Sequence, residues 1–413
     1  MQASDNGHIF NHDLLANPED LEFVRKLYPT LINALYDPEL IDYFNKFNQR
    51  ADAAKRKSGK FGTCAILLGG GAIALASVEV AIRVYWAKSE TGNEILLLLT
   101  IGSAAAILGL VSVLLGASGI LFGTRKQNWL VNRFMGESIR QFHFQSLIAE
   151  LPLIVAMAGV GGEDQDRSEQ SDRETRKGDR QSKIKPAKAL AEDRQRRFLE
   201  FKANFDDEMQ RKAKFGVAVS REETGDWRLC EPNEGFSVSE GEPLLIFFKA
   251  YRQIRLLHQL NYANYKLTSD TRLFSSMPLR QSQLLEDANK LGLQFVIIVH
   301  LSVLIIAAVA LIGWLFGVDP GWAVVITPIF FFAIIALAVV SLSAHAFAQG
   351  LQPEREVERY QQYRSAVRSI LERFDEAKDP KEKIDIMWEM ERAAVDEMRN
   401  FLITYHEHSS FAV

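Results

Sequence analysis

Two charged residues within an apolar stretch are the strongest sign of chemistry in this sequence. Glu79 and Arg83 lie four residues apart, so their side chains are neighbours on one face of a helix. A charge in an apolar helix usually faces a bundle interior or a watery cavity, where it can discriminate between ions. The pair therefore predicts a charged ring at the outer mouth of a pore. The alternative is an interfacial ion pair whose Arg83 side chain extends to the headgroups.

The motifs that would mark an enzyme do not occur in the sequence. The glycine run Gly69–Gly71 is not followed by the Lys-Ser or Lys-Thr of a phosphate-binding loop. The HExxH, GxSxG and CxxC patterns of metalloproteases, serine hydrolases and thiol oxidoreductases are likewise missing. The two cysteines, Cys64 and Cys230, predict neither a disulfide framework nor a zinc site. We therefore expect no enzymatic activity, no cofactor and no bound metal.

The charge is distributed in blocks along the 413 residues. Although 24% of the residues are charged, four windows of 18, 30, 28 and 34 residues contain no Asp, Glu, Lys or Arg. These windows are Phe61–Val78, Ile95–Thr124, Leu291–Val318 and Pro320–Pro353. The partition excludes a purely soluble globular enzyme and also a transporter that lies mostly in lipid. The balance of 48 basic and 52 acidic residues gives no reason to expect nucleic-acid binding.

The uncharged windows are long enough to cross a membrane, which takes about 20 apolar residues per helix. The first reaches this length when it is continued to Trp86. The sequence thus predicts four transmembrane helices in two hairpins, at about 61–86, 95–123, 293–316 and 322–348. His300 is a polar residue of the third span, and it acts either as a hydrogen-bond partner inside the bundle or as a gate.

Basic residues near the spans set the expected orientation. Five Lys and Arg residues lie between Arg50 and Lys60, before the first span. By contrast, the loop of the first hairpin carries Lys88 alone, and the second loop carries no basic residue. We therefore expect a multi-pass protein of the inner (plasma) membrane, with its N- and C-termini in the cytoplasm.

Small residues recur at alternating intervals of three and four in the first two spans. Leading to Glu79, the first stripe comprises Gly62, Ala65, Gly69, Ala72 and Ala76; the second comprises Gly102, Ala105, Gly109, Ser112, Gly116, Gly119 and Gly123. Lipid gives helices no hydrophobic drive to associate, so small residues that permit close approach hold them together. The stripes predict a tightly packed hairpin or a seam in a homo-oligomer, or alternatively the lining of a narrow pore.

The polar regions are predicted to be helical, and the chain repeats one plan: an amphipathic helix, a spanning hairpin, then another amphipathic helix. The expected domains are an N-terminal tail at 1–20, a first two-span module at 21–153, a charged disordered linker at 162–188, a cytoplasmic helix and loop at 189–241, and a second two-span module at 242–408. Asp379 and Pro380 predict the cap and the first residue of the last helix.

The helices that flank the spans carry a family resemblance. Trp129, Arg133, Glu137 and Arg140 resemble the W…R…E…R motif that follows the membrane hairpin in SLATT-superfamily domains. These domains are two-span effector modules associated with bacterial nucleotide-signalling defence systems. Two further segments are similar to the helices that open and close such a domain: Tyr251–Tyr262 and Glu389–Phe401. The resemblance implies two tandem copies in this chain.

The same resemblance implies a function in anti-phage defence. The protein would oligomerise and form a pore or ion channel, or disrupt the inner membrane, when a cytoplasmic sensor protein or a nucleotide signal triggers it. We therefore expect an all-α integral membrane protein whose partners are the lipid bilayer and further copies of the chain. The alternatives are a non-conducting membrane scaffold that recruits cytoplasmic partners, and a small secondary transporter, which the scarcity of polar residues in the spans disfavours.

Overall fold

The computed structural model describes residues 13–86, 100–112, 124–162, 187–205, 228–230, 241–268, 278–316 and 353–406. Over these ranges every regular element is a helix and no strand occurs, which confirms the all-α class. The predicted linker at 162–188, the loop of 189–241 and the fourth span at 322–348 lie largely or wholly outside the described residues.

The described α-helices are, in chain order, α1 (Pro18–Leu27), α2 (Ile32–Leu35), α3 (Pro38–Trp86), α4 (Thr100–Ser112), α5 (Thr124–Ala149), α6 (Leu151–Gly162), α7 (187–205), α8 (Glu242–Tyr251), α9 (Leu257–Lys266), α10 (Pro278–Leu315), α11 (Pro353–Glu376) and α12 (Pro380–His406). A five-residue π-helix, Arg252–Leu256, connects α8 directly to α9.

Local sequence determines where several helices begin. Proline is the first residue of α1, α3, α10, α11 and α12, a position where its missing N–H costs nothing. The Asn17 side chain accepts a hydrogen bond from the Glu19 N–H at 3.3 Å, and thereby caps α1. The Asp379 carboxylate accepts from the Lys381 N–H at 3.2 Å, so the predicted start of the last helix is confirmed.

The chain divides into two compact units. Unit 1 comprises Met1–Ala54, Gln127–Leu267 and Glu358–Val413, and unit 2 comprises Lys55–Lys126 and Thr268–Val357. Each tandem module expected from the sequence contributes to both units. Unit 1 collects the polar flanking helices of both modules, whereas unit 2 collects the segments predicted to be spans.

Helix α5 forms the centre of unit 1. Every residue from Ser138 to Leu151 is buried, so the C-terminal half of this helix is covered on all its faces. Phe142 stacks on Phe201 of α7 with 4.3 Å between ring centroids, and Phe144 meets Tyr251 of α8 edge-on. Polar side chains of α5 must therefore find their hydrogen-bond partners inside the protein.

Within the described residues, no individual helix combines the length and the apolar character needed to cross a bilayer. Only the pair of α5 and α6, which is bent by 61° at Glu150, meets that criterion on length and composition. Three shorter apolar helical stretches occur inside the first three predicted spans: Leu67–Val80, Thr100–Ser112 and Leu304–Gly313. The four-span topology therefore stays a prediction.

Unit 2 exposes most of the large apolar side chains found at the described surface. Of the 21 exposed side chains of this kind, 17 belong to unit 2, and ten of these lie on α10 between Leu291 and Leu315. They include the adjacent pairs Ile297–Ile298 and Leu304–Ile305. Neighbours in a helix point about 100° apart, so the exposed apolar surface of α10 is broad.

Candidate functional site

A network of buried charged side chains lies inside unit 1, and Arg255 of the π-helix is its hub. The Arg255 guanidinium donates to both oxygens of Glu391 on α12, from Nε to Oε1 at 2.9 Å and from Nη2 to Oε2 at 2.6 Å. Nη1 donates to Asp13 Oδ2 at 3.2 Å, and the guanidinium carbon lies 4.1 Å from the centroid of the Phe144 ring. This bidentate, charge-assisted pairing is the strong type of arginine–carboxylate contact.

The segment around the π-helix supplies three members of this network at intervals of four residues. Tyr251 donates from its hydroxyl to Glu391 Oε1 at 2.7 Å, and Gln259 donates from its amide to Asp13 Oδ2 at 3.1 Å. Arg255 lies between them in the sequence. A π-helix inserts an extra residue into the helical repeat, and such insertions occur often at functional sites.

A second ionic cluster lies on α5 and consists of residues from the predicted family motif. Glu137 accepts from Arg140 Nη1 with both carboxylate oxygens, at 3.0 and 2.8 Å, and Arg133 Nη2 lies 2.6 Å from Glu137 Oε1. Asp13 joins the two clusters, because its Oδ2 also lies 3.4 Å from Arg140 Nε. Close to Asp13, Leu15 adopts a left-handed φ of 55°, which side chains other than glycine rarely tolerate.

Neighbouring cations hold two acids of the network in their charged forms. Burial alone would raise the pKa of Asp13, but nearby cations, led by Arg140, hold it below its ordinary value. The same balance holds for Glu137, where Arg133 and Arg140 overcome the effect of burial on the pKa. Burial raises the pKa of Tyr251 well above its ordinary value, so its hydroxyl stays protonated and donates.

A cavity borders this network within unit 1. It has a volume of about 50 Å³, and its walls come from α5, the π-helix with α9, α11 and α12. On one wall, Arg359 packs between the rings of Tyr360 and Phe401, at 4.7 and 4.8 Å from their centroids. Its Nη1 lies 3.4 Å from Glu397 Oε1. Trp129, the first residue of the family motif, packs edge-on against Phe401.

Burial shifts the pKa values of two titratable side chains near this region. Burial raises the pKa of the Cys230 thiol to about 12, so the thiolate needed for nucleophilic attack is suppressed. Burial, together with Arg194, lowers the pKa of His143 to about 3, so its imidazole is neutral. In the described ranges, no three His, Cys, Asp or Glu side chains are grouped so that they could hold a metal ion.

The small-residue stripes of unit 2 face each other across α3 and α4. A Cβ atom added at Gly69 would lie 2.8 Å from Ser112 Oγ, and one added at Gly109 would lie 3.6 Å from the Cβ of Ala72. At Gly102 an added Cβ would lie 2.7 Å from a carboxylate oxygen of Glu79. These contacts run antiparallel, so the Glu79 carboxylate lies at the packed interface between the two helices.

For six other residues of the predicted pore or seam, the structure gives no side-chain contacts. Gly62, Arg83 and His300 lie within α3 and α10, but their side-chain surroundings fall outside the described part of the chain. Gly116, Gly119 and Gly123 also lie outside the described residues. A role for these residues in a pore or a seam therefore stays a prediction.

Sequence reasoning singled out the motif on α5 but missed its connection to Asp13 and, through Asp13 and Arg255, to Glu391. A signal was present, since Arg255 interrupts the apolar run Ile254 to Leu257. Such a charge on an apolar face indicates a buried partner. The identity of that partner could not be read from spacing, because Arg255 and Glu391 are 136 residues apart.

Glu150 is a second buried acid of unit 1, located at the bend between α5 and α6. It is fully buried, its Oε2 accepts from Arg194 Nη2 at 3.3 Å, and its Oε1 has no hydrogen-bond partner. The same Arg194 nitrogen also donates to the Ala34 carbonyl, at 2.7 Å. Burial therefore outweighs Arg194 and raises the pKa of Glu150 from 4.5 to about 7.

Glu150 and His143 should give opposite pH dependences to the stability of unit 1. Between pH 5 and 6.5 the folded state retains a proton on Glu150 that the unfolded state releases, so this group lowers stability as pH rises. His143 binds a proton only when unfolded, so it raises stability over the same range. The wild-type protein should therefore show a nearly flat profile.

Single substitutions should separate the two effects. In Glu150→Gln only the His143 effect remains, so we expect the unfolding free energy of this variant to rise by about 2 kcal/mol from pH 5 to pH 6.5. In His143→Asn only the Glu150 effect remains, so the unfolding free energy should fall by about the same amount over the same range. Urea unfolding followed by tryptophan fluorescence at a series of pH values measures both slopes. Parallel profiles for the two variants would contradict the assignment of these protonation states.

No family model, curated protein or solved structure matches this chain.

Proposed function

We propose that this chain is a multi-pass effector of the bacterial inner membrane that oligomerises and forms a pore or ion channel under the control of its cytoplasmic unit 1. The observation that carries the proposal is the exposed apolar surface of unit 2 on segments without charged residues. The role in anti-phage defence, with a sensor protein or nucleotide signal as trigger, follows from the SLATT resemblance and belongs to the same proposal.

The exposed apolar surface of α10 is more stable in apolar surroundings than in water. Full burial of a Leu or Ile side chain contributes about 1.5–3 kcal/mol relative to exposure to water. The ten exposed side chains of this size on α10 are 50–67% exposed, so together they forgo an amount of free energy comparable to the net stability of a typical domain, about 5–15 kcal/mol. Lipid is the favoured surrounding because the window Leu291–Val318 has no charge and basic Arg280 and Lys290 precede it.

The paired helices α3 and α4 supply a site for ions. Close packing through small residues is the means by which helices associate in lipid. The Glu79 carboxylate lies at this packed interface, and an intramembrane acid of this kind usually serves an ion path. Helix α3 contributes residues to both units, so the element that carries Glu79 also belongs to the charged unit 1.

Conductance of the purified full-length chain in liposomes tests this function. We expect discrete unitary current steps, which require a continuous aqueous path. Membrane insertion and oligomer formation without conductance would favour the scaffold. Substrate-coupled flux without unitary steps would favour the transporter.

Glu79→Gln tests the proposed ion path. A carboxylate attracts cations, so its removal should lower the cation-to-anion permeability ratio several-fold, as measured from reversal potentials in asymmetric salt. Glu286→Gln is the matched control, because Glu286 is an exposed acid of unit 2 paired with Lys290 at 2.6 Å. An unchanged ratio in an assembled Glu79→Gln channel would remove Glu79 from the permeation path.

A further inference from the structure

We propose that the cavity in unit 1 binds a small oxyanion of the phosphate or sulfate type, and that this anion displaces the Glu397 carboxylate from Arg359. This proposal rests on the geometry of unit 1 and stands apart from conduction by unit 2. Through a ligand site of this kind, a small molecule could change the contacts between helices inside unit 1.

The pairing of Arg359 with Glu397 is the loosest ion pair on the cavity wall. Their closest atoms are 3.4 Å apart, whereas the pairs that Glu137 makes with Arg133 and Arg140 close to 2.6 and 2.8 Å. A guanidinium and a carboxylate normally approach to 2.7–2.9 Å, often through two parallel hydrogen bonds. Arg359 is therefore held less tightly by Glu397 than an oxyanion could hold it.

The side chains of Arg359 and Glu397 also differ in how freely they can move. The Arg359 side chain is 7% exposed and is fixed between two aromatic rings, whereas that of Glu397 is 21% exposed. Glu397 can thus rotate toward solvent while Arg359 keeps its orientation. The acceptor of this pair is the partner that a ligand can replace.

The charges around the cavity favour an anion over a cation. Four arginines line the walls, Arg133, Arg140, Arg255 and Arg359, together with the acids Glu137 and Glu397. Asp13 and Glu391 also pair with these arginines, so the four guanidiniums are balanced by four carboxylates while Glu397 is in place. Once Glu397 turns away, one net positive charge remains, which attracts an anion and disfavours a cation in a partly desolvated site.

Neutral donors complete the recognition of an oxyanion. The hydroxyls of Tyr262 and Tyr360 meet at 3.3 Å on the cavity wall. Burial raises the pKa of Tyr262, so this hydroxyl keeps its proton at neutral pH. Guanidinium and hydroxyl donors together suit the several acceptor oxygens of phosphate better than a single carboxylate group.

Titration calorimetry with inorganic phosphate on the full-length chain in neutral detergent tests the proposal at constant ionic strength. Hydrogen exchange of α11 and α12 peptides reports the location of binding. We expect binding that protects both helices, its loss in Arg359→Gln, and affinity about tenfold tighter in Glu397→Gln, because the competing charge is removed. The gain in Glu397→Gln cannot arise from misfolding, so the test holds even if Arg359→Gln folds poorly.

A second ion pair between the same two helices provides the control. Arg373 and Glu389 connect α11 to α12 at the surface, with 46% and 47% exposure. Arg373→Gln and Glu389→Gln should leave phosphate binding unchanged. Three results would each overturn the proposal. They are a loss of phosphate binding in Arg373→Gln as large as in Arg359→Gln, protection of α11 and α12 by chloride equal to that by phosphate, and an unchanged phosphate affinity in Glu397→Gln. Protection in nanodiscs of anionic phospholipid without free phosphate would support the same site with a lipid headgroup as the source.

Discussion

Replacing Glu391 with glutamine should lower the free energy of unfolding by about 3–5 kcal/mol. The substitution leaves the Arg255 guanidinium fully buried and without the carboxylate that accepts two of its hydrogen bonds. It also weakens the acceptor of the Tyr251 hydroxyl. Because a typical domain is stable by about 5–15 kcal/mol, we expect a large drop in the unfolding midpoint and in the yield of folded protein.

Glu389→Gln is the matched control, since Glu389 lies two residues earlier on α12 and is half exposed. Exposed ion pairs contribute about 0–1 kcal/mol, so this variant should stay close to the wild type. The double variant Arg255→Met/Glu391→Met should recover much of the lost stability, because it removes both buried charges together. Similar losses of unfolding free energy in Glu389→Gln and Glu391→Gln would show that the stabilising effect of Glu391 does not depend on its burial.

Gly69→Leu should separate helices α3 and α4 of unit 2. A Cβ atom at this position already lies 2.8 Å from Ser112 Oγ, and leucine adds three more carbon atoms. Overpacking of this kind costs about 1–3 kcal/mol or more, and in lipid no hydrophobic drive restores the contact.

The separation can be measured by disulfide cross-linking. The Cβ atoms of Ala72 and of a residue at position 109 would lie 3.6 Å apart, within the range that a disulfide needs. With Cys64 replaced by serine, Ala72→Cys/Gly109→Cys should cross-link efficiently, and the added Gly69→Leu substitution should abolish most of the cross-linking.

Gly71→Leu controls for the larger side chain on the same helix. No atom lies within 4 Å of a Cβ added at Gly71, so leucine enters open space there. Leucine also favours helix over glycine by up to about 1 kcal/mol. The cross-linking yield should therefore match the parent protein, and equal cross-linking in Gly69→Leu would contradict the packing described for this hairpin.

Much of the helical architecture could be predicted because local sequence determines it. The α12 start at Pro380 needs only a capping side chain and a proline, and both act within a few residues. The facing stripes of α3 and α4 are also local, since a short connection brings small residues at regular spacing into register. The separation between an apolar unit 2 and a polar unit 1 follows from the blocks of charge.

The candidate site could be predicted only in part. The apolar residues of α5 indicate a helix with one buried face, whereas the structure buries the helix from Ser138 to Leu151 on every side. Burial of that extent depends on elements distant in sequence: α7, α8 and α12. The prediction therefore marked Arg133, Glu137 and Arg140 as notable but could not show that they share a network with Asp13.

The position of Asp13 bears on the order of events during biosynthesis. Asp13 pairs with Arg255 and Gln259, which follow it by 242 and 246 residues. At a translation rate of about 5–20 residues per second, Arg255 emerges about 10–50 s after Asp13. Arg140, the other arginine that pairs with Asp13, is synthesised within that interval, and the first apolar hairpin has by then left the ribosome. Closure of unit 1 is therefore a late step, completed only after synthesis has reached α12.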